Sequence, residues 1–372
     1  MAGNETPTNG TSDRQLLLAV LPWPEEDTKP LVKGLEDEFP ELEVKYIYEE
    51  LAKKWDKQGQ LQIPEDYIKR AKILATLSWL PSSASAAPNL ELIQFFSAGT
   101  NHVASHPIYT DSDIPLATQS GIHGPQIAEW VIMMDLIHSH KYIEFYEAQK
   151  RKEWDQKRGM KVKDAVGRRV GVLGYGSIGR QVARVAKAMG SDVIAYTASP
   201  RPTPESRRDN GFIVPGTGDP DGSLPSAWYS GLEKEKLHEF LRQGIDLLVV
   251  SVPLTEKTTH FLSTKEFNLL SSSSPRGCFI ANISRGAIID QAALVEALET
   301  EKIRGAALDV TDPEPLPKED GLWDVKNCYI TPHISGVSED YAQRAFQVLR
   351  ENLRRRREGR GLVNLVDRER GY

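Results

Sequence analysis

The chain has 372 residues, 40% of them apolar and 26% charged, an ordinary globular composition long enough for two or three domains. Its 46 Lys and Arg stand against 52 Asp and Glu, and the net charge of −6 argues against broad binding to nucleic acid. Two cysteines, Cys278 and Cys328, cannot build a disulfide framework or a thiolate zinc site. With no apolar run of ~18 residues either, the expectation is no metal, no membrane span and a reducing, cytoplasmic setting.

The polar segment 1–13, MAGNETPTNGTSD, lacks a secretory pattern and is expected to be a disordered tail. Beyond it, short apolar runs alternate with helical patterns, which predicts an α/β fold with parallel sheets. Residues 16–23, 42–48, 72–79 and 90–96 read as strands, with a helix over Glu25–Phe39. Pro125–Tyr146 reads as one long helix, followed by a mixed-charge connection over 150–164. His138 and His140 near its end are two residues apart, share no helical face, and read as a polar helix end rather than a metal pair.

From Arg169 the alternation is regular. Strands are expected over 169–173, 192–196, 246–254, 278–284, 305–310 and 328–331. Helices are expected over Ser177–Met189, Asp290–Thr300 with Asp290 as N-cap, and Ser338–Arg357, whose closing arginines read as a solvated end suited to the helix dipole. The Pro-, Gly- and Ser-rich stretch 199–232 reads as a long insertion between a strand and a helix.

Gly174-Tyr175-Gly176-Ser177-Ile178-Gly179 follows a strand and opens a helix, the context in which G-x-G-x-x-G binds a dinucleotide. The first glycine permits the turn, the second admits a pyrophosphate, and the third lets helix and strand pack closely. Chains that select NAD place Asp or Glu at the end of the next strand. Here that end carries Thr197, Ser199 and Arg201, with no carboxylate before Glu205. A hydroxyl and a guanidinium suit a 2′-phosphate, so NADP is preferred over NAD in this reading.

Three further segments are N-I-S-R-G (282–286), L-D-V running to P-E-P-L (308–316) and T-P-H-I-S-G (331–336). Together with the glycine loop and S-V-P-L-T (251–255), they resemble the D-isomer-specific 2-hydroxyacid dehydrogenases, and within them the glyoxylate and hydroxypyruvate reductase branch. The resemblance runs from about Leu90 onward. The chemistry is coherent on its own terms. Arg285 can grip a substrate carboxylate and polarise the neighbouring carbonyl. His333 can give or take the alcohol proton. Glu314 resembles the carboxylate that hydrogen-bonds this histidine.

The resemblance implies more. Tyr175, Ser177 and Ile178 would line the pyrophosphate, Val252 and Pro253 would flank the adenosine with Thr258 near them, and Ile283 would face the nicotinamide. Asp309 resembles the carboxylate that holds the nicotinamide carboxamide. Ser284 joins the cofactor set where the family often has a small residue. Ser97, Ala98 and Gly99, with Thr100, resemble a loop whose amides bind the substrate carboxylate. Trp79 reads either as a wall of the substrate pocket or as a core residue.

The implied architecture is two Rossmann-like, doubly wound parallel-sheet domains with a cleft between them. The substrate domain takes 14–122 plus 338–372, and the cofactor domain takes 123–337. A homodimer is implied, with Pro125–Tyr146 in its contact, and the partner is a small 2-oxo or 2-hydroxy acid. Two alternatives stay open. One is a non-enzymatic dinucleotide-responsive regulator or corepressor on the same fold. The other is a formate dehydrogenase-like enzyme, although that branch carries Gln where Glu314 stands.

Overall fold

The computed structural model describes residues 14–49, 61 and 63–368, so the expected N-terminal tail lies outside the described residues. The chain divides into two compact units. One runs to Ser120 and resumes at Ala342; the other is Gly121–Tyr341.

The first unit carries β1 (Gln15–Leu21), β2 (Leu42–Tyr48), β3 (Ala71–Thr76), β4 (Leu92–Phe95) and β5 (Leu116–Ala117). They form a parallel sheet in the order β2-β1-β3-β4-β5. β1 and β3 are near-continuous apolar runs, as strands covered on both faces require. Trp79 is half-buried and packs against this core. The chain returns through the helix Tyr341–Arg357. There Asn352, fully buried, donates to the Gln94 Oε1 at 2.7 Å and accepts from the Val363 amide at 2.8 Å. Gln94 in turn donates to the Thr118 carbonyl at 3.1 Å, so these buried amides satisfy one another. The closing arginines are not merely solvated: Arg354 and Arg356 pair with Glu38 and Glu91, and the Arg357 guanidinium lies 4.9 Å from the Phe39 ring.

The second unit carries β6 (Arg169–Leu173), β7 (Asp192–Thr197), β8 (Ala227–Ser230), β9 (Leu247–Val250), β10 (Phe279–Asn282), β11 (Gly305–Leu308) and β12 (Cys328–Ile330). All pair in parallel in the order β12-β11-β10-β9-β6-β7-β8. The order reverses between β6 and β9, and a doubly wound sheet binds ligands beyond the carboxyl ends of its strands at that point. Both units are Rossmann-like α/β layers, the fold class expected from the alternation. Among the described residues no helix is long and apolar enough to cross a membrane.

Two expected elements differ. The single helix over 125–146 is two, Gly124–Ser139 and Tyr142–Lys150, because Lys141 takes a left-handed φ of 56° that a continuous helix cannot contain. The insertion is not featureless: it holds the short helix Pro204–Arg207 and ends in the edge strand β8. Four residues, A-W-Y-S, are too few for alternation to stand out among turn formers.

His138 is not a polar helix end. Its Nδ1 lies 3.3 Å from the Tyr329 hydroxyl and its ring 4.8 Å from that of Phe279. Burial, helped by the nearby Arg304 charge, pushes its pKa down from 6.5 to about 4. A histidine that folds neutral contributes stability above its unfolded pKa and loses it as pH falls through the folded one. Between pH 6.5 and about 4 the wild type should therefore lose about 2–3 kcal/mol more stability than His138→Gln in paired denaturant titrations. Parallel pH dependences would show that the folded ring accepts charge freely.

Candidate active site

The glycine turn connects β6 to the helix Ser177–Ala188. Gly174 has φ +106°, and a Cβ there would stand 2.5 Å from the Ser251 carbonyl oxygen, just beyond β9. Gly179 would put a Cβ 2.4 Å from the Gly174 oxygen and 2.6 Å from Val172 Cγ1. Gly176 is different: it has φ −86°, is exposed, and a Cβ there would meet nothing within 4 Å. Neither backbone nor packing within the unit demands a glycine at 176. That open space lies at the N-terminus of a helix with no side-chain cap, where the amides of Ser177 and Ile178 have no carbonyl behind them. The turn thus fits the pyrophosphate of a dinucleotide.

Several residues expected around it have other tasks. The amides of Gly174 and Tyr175 both donate to the Tyr196 carbonyl, at 3.1 and 3.2 Å. The Tyr175 side chain is buried and donates its hydroxyl to Asp219 Oδ2 at 2.7 Å, so it does not line the pyrophosphate. Thr258 donates to the Pro253 carbonyl at 2.7 Å and accepts from the Thr255 amide at 2.8 Å. It shapes its own loop rather than reaching a ligand. Val252 packs on the core, Pro253 is exposed, and Ile283 is buried with its amide 3.2 Å from the Val250 carbonyl. Ser284 donates to the Val252 carbonyl, tying the loops after β9 and β10 together. At the end of β7, Thr197 donates to the Ser199 carbonyl at 2.8 Å. The exposed Arg201 donates to the Ser206 carbonyl at 2.7 Å, and Arg207 donates to the Arg201 carbonyl at 2.9 Å, so two cations share this turn.

Arg285, Glu314 and His333 all lie beyond carboxyl ends of strands in the second unit. A Cβ on Gly286 would fall 2.0 Å from the Thr311 carbonyl, so only glycine lets the Arg285 segment press against the loop that carries Glu314. Arg285 is half-buried; Asn282 donates to its carbonyl at 3.0 Å. Burial holds the guanidinium below its ordinary pKa, and the Glu314 charge opposes that shift. Nδ1 of His333 lies 2.6 Å from Glu314 Oε1, and both side chains keep substantial exposure, 50% and 38%. A histidine so engaged at Nδ1 has Nε2 available for proton transfer.

Asp309 is the residue whose part sequence reasoning misassigned. It is 2% exposed. Oδ1 accepts from the Thr331 hydroxyl at 2.6 Å and the Ile334 amide at 2.9 Å, and Oδ2 accepts from the Ser335 amide at 2.9 Å and the Ser335 hydroxyl. All its acceptor sites are filled by the loop around His333, which leaves none open for a carboxamide. The two hydroxyls flanking the histidine in T-P-H-I-S were the available signal. Asn282 and Gly286 were missed as well. Ser97, Ala98, Gly99 and Thr100 belong to the first unit, just past β4, where the Ser97 hydroxyl closes the turn on the Gly99 carbonyl at 2.8 Å.

The glycines should separate in melting experiments. Gly179→Ala should lower Tm by ~5 °C or more, since its Cβ overlaps backbone. Gly176→Ala should stay within ~2 °C of wild type. A large loss at 176 would mean that packing demands that glycine after all.

The model of the D-isomer specific 2-hydroxyacid dehydrogenase NAD binding domain matches residues 132–213 and 220–335. A D-3-phosphoglycerate dehydrogenase of Methanocaldococcus jannaschii is 31% identical over 264 residues, 68% of this chain and 45% of that one. A glyoxylate reductase of Korarchaeum cryptofilum is 27% identical over 295 residues, 76% of this chain and 78% of that one. Among solved structures, an NADPH-dependent glyoxylate/hydroxypyruvate reductase of Sinorhizobium meliloti, in complex with NADP and sulfate, is 26% identical with a TM-score of 0.72, covering 96% of this chain and 100% of that one. With a model match over more than half its length, the chain belongs to the D-isomer specific 2-hydroxyacid dehydrogenases, a family of NAD(P)-dependent oxidoreductases.

Proposed function

We propose that the protein reduces a small 2-oxo acid of the glyoxylate or hydroxypyruvate kind to its D-2-hydroxy acid, with NADPH as the preferred donor. The observation that carries this reading is the 2.6 Å contact between His333 Nδ1 and Glu314 Oε1 in the same unit as a half-buried Arg285. With its pyrophosphate held at the glycine turn, a reduced nicotinamide dinucleotide would supply a hydride to the carbonyl carbon. Arg285 binds the substrate carboxylate and meets the charge that develops on the carbonyl oxygen. Ile283 would wall the nicotinamide side. His333 gives its Nε2 proton to the oxygen as the C=O π bond opens. The ring ends neutral and regains a proton from solvent; in the oxidative direction it takes the alcohol proton instead. Glu314 engages Nδ1 and so leaves the opposite ring nitrogen for the transfer.

The cofactor choice rests on the end of β7. Thr197 brings no charge to repel a 2′-phosphate, and Ser199, Arg201 and Arg207 are compatible with one. A homodimer is part of the proposal. Tyr142, Ile143, Tyr146 and Trp154 are large exposed side chains close together in sequence, the composition of a surface that a second copy would cover. The free thiols Cys278 and Cys328 suit the cytoplasm.

A spectrophotometric panel at ~340 nm with glyoxylate, hydroxypyruvate, pyruvate and phenylpyruvate tests the activity. His333→Ala should lower kcat by roughly 10²–10⁴-fold. Arg285→Ala should raise KM and lower kcat together. Glu314→Gln loses the charge-assisted contact at Nδ1 and should lower kcat while leaving KM for the 2-oxo acid little changed. Full turnover without His333, or in Glu314→Gln, rules out these roles.

NADPH should outperform NADH in kcat/KM. Thr197→Asp should shift the preference toward NADH, and Arg201→Ala should weaken NADPH use by roughly 10-fold or more while leaving NADH little changed. A wild-type preference for NADH would overturn this part of the reading.

A further inference from the structure

The insertion between the parallel strands β7 and β8 exceeds the ~12 residues a crossover requires, and its helix is only Pro204–Arg207. It folds back over the glycine turn through Asp219, which is 4% exposed. Its Oδ2 accepts from the Tyr175 hydroxyl at 2.7 Å, and its backbone carbonyl accepts from Arg180 Nη1 at 2.5 Å. Tyr175 and Arg180 stand immediately before and after Gly176–Gly179, so one residue of the insertion holds both ends of the four-residue turn.

The surroundings make this a brace rather than a chance contact. The amides of Ser223 and Leu224 also donate to the Asp219 carboxylate, at 3.1 and 3.2 Å, so its orientation is fixed. Arg180 is 5% exposed, donates a second bond to the Arg207 carbonyl at 2.6 Å, and reaches Asp209 at 3.4 Å. One helical residue therefore binds the insertion at three places. Gln181 accepts from the Gly218 amide at 2.6 Å. The Tyr175 ring meets Trp228 of β8 edge-on at 5.0 Å, with the Arg180 guanidinium 5.1 Å from the same ring.

We propose that the 199–226 insertion braces the anion-binding turn, and that Tyr175 and Asp219 are positioning residues for dinucleotide binding. The proposal rests on the reading of the glycine turn as the cofactor site. Its physical basis is preorganisation. Of the two glycines in this segment, the unpacked Gly176 has conformational freedom to lose when the turn closes on a pyrophosphate. Pinning both flanks removes that loss beforehand, and the gain appears as affinity. Neither side chain touches the 2-oxo acid or the reacting atoms in this scheme, so the brace acts on cofactor binding alone.

Titration calorimetry of the full chain with NADPH and with NADH tests it, beside steady-state kinetics and melting curves. Tyr175→Phe removes one hydroxyl and keeps the ring against Trp228 and Arg180. Its Kd for the dinucleotide should rise about 10-fold, with kcat at saturating cofactor and KM for the 2-oxo acid within about 2-fold of wild type. Asp219→Asn cannot accept from both pairs of donors and should weaken binding further; if it does not fold, Tyr175→Phe still decides. An unchanged Kd in Tyr175→Phe, whether or not its Tm falls, assigns the pair to stability alone and overturns the proposal. A wild type that binds neither dinucleotide fails at the earlier step, the cofactor reading itself.

Discussion

The Asp309 carboxylate organises this active site. Buried at the end of β11, it takes four donors from Thr331, Ile334 and Ser335, and its backbone carbonyl takes a fifth, the His333 amide at 2.9 Å. These bonds close the loop after β12 around a histidine held at φ 54°, a left-handed conformation that costs a non-glycine residue energy. The ring can then stand with Nδ1 on Glu314. Without the buried anion, the short loop from Thr331 to Gly336 would have little reason to adopt that shape.

Close backbone approach does the complementary work. Gly174 abuts the Ser251 carbonyl, Gly179 packs on β6, and Gly286 abuts Thr311. Each glycine brings a chain segment nearer than a side chain would permit. Gly174 thereby joins the loops after β6 and β9, where the strand order reverses, and Gly286 joins those after β10 and β11. The bond from Ser284 to the Val252 carbonyl fastens two of them directly. Gly176, by contrast with these three, leaves room for something from outside the chain.

Much of this was legible in the sequence. Buried parallel strands announce themselves as apolar runs, and β2 falls on the residues that alternation marks, Leu42–Tyr48. The ordered motifs carried Arg285, Glu314 and His333 because each sits in a short segment with its own chemistry. What stayed hidden depends on partners far apart in the chain. Tyr175 reads as a ligand contact until Asp219, 44 residues on, is seen to take its hydroxyl. Asp309 reads as free until Thr331 and Ser335 fold back on it. His138 reads as a polar helix end until Tyr329 and Phe279 close over it. The break at Lys141 lies in backbone geometry that an apolar period does not encode.

The cross-linked amides of Gln94 and Asn352 also bear on how the protein is made. Synthesis runs from the N-terminus, and domains generally fold as units as they emerge. The first unit starts the chain, yet the buried Oε1 of its Gln94 meets its donor only when Asn352 has been added, more than 250 residues later. The second unit is contiguous from Gly121 to Tyr341 and has all its strands before then. On the ribosome, the half that begins first is therefore completed last. A nascent chain stalled before Asn352 would present the β1–β5 sheet without its closing helix.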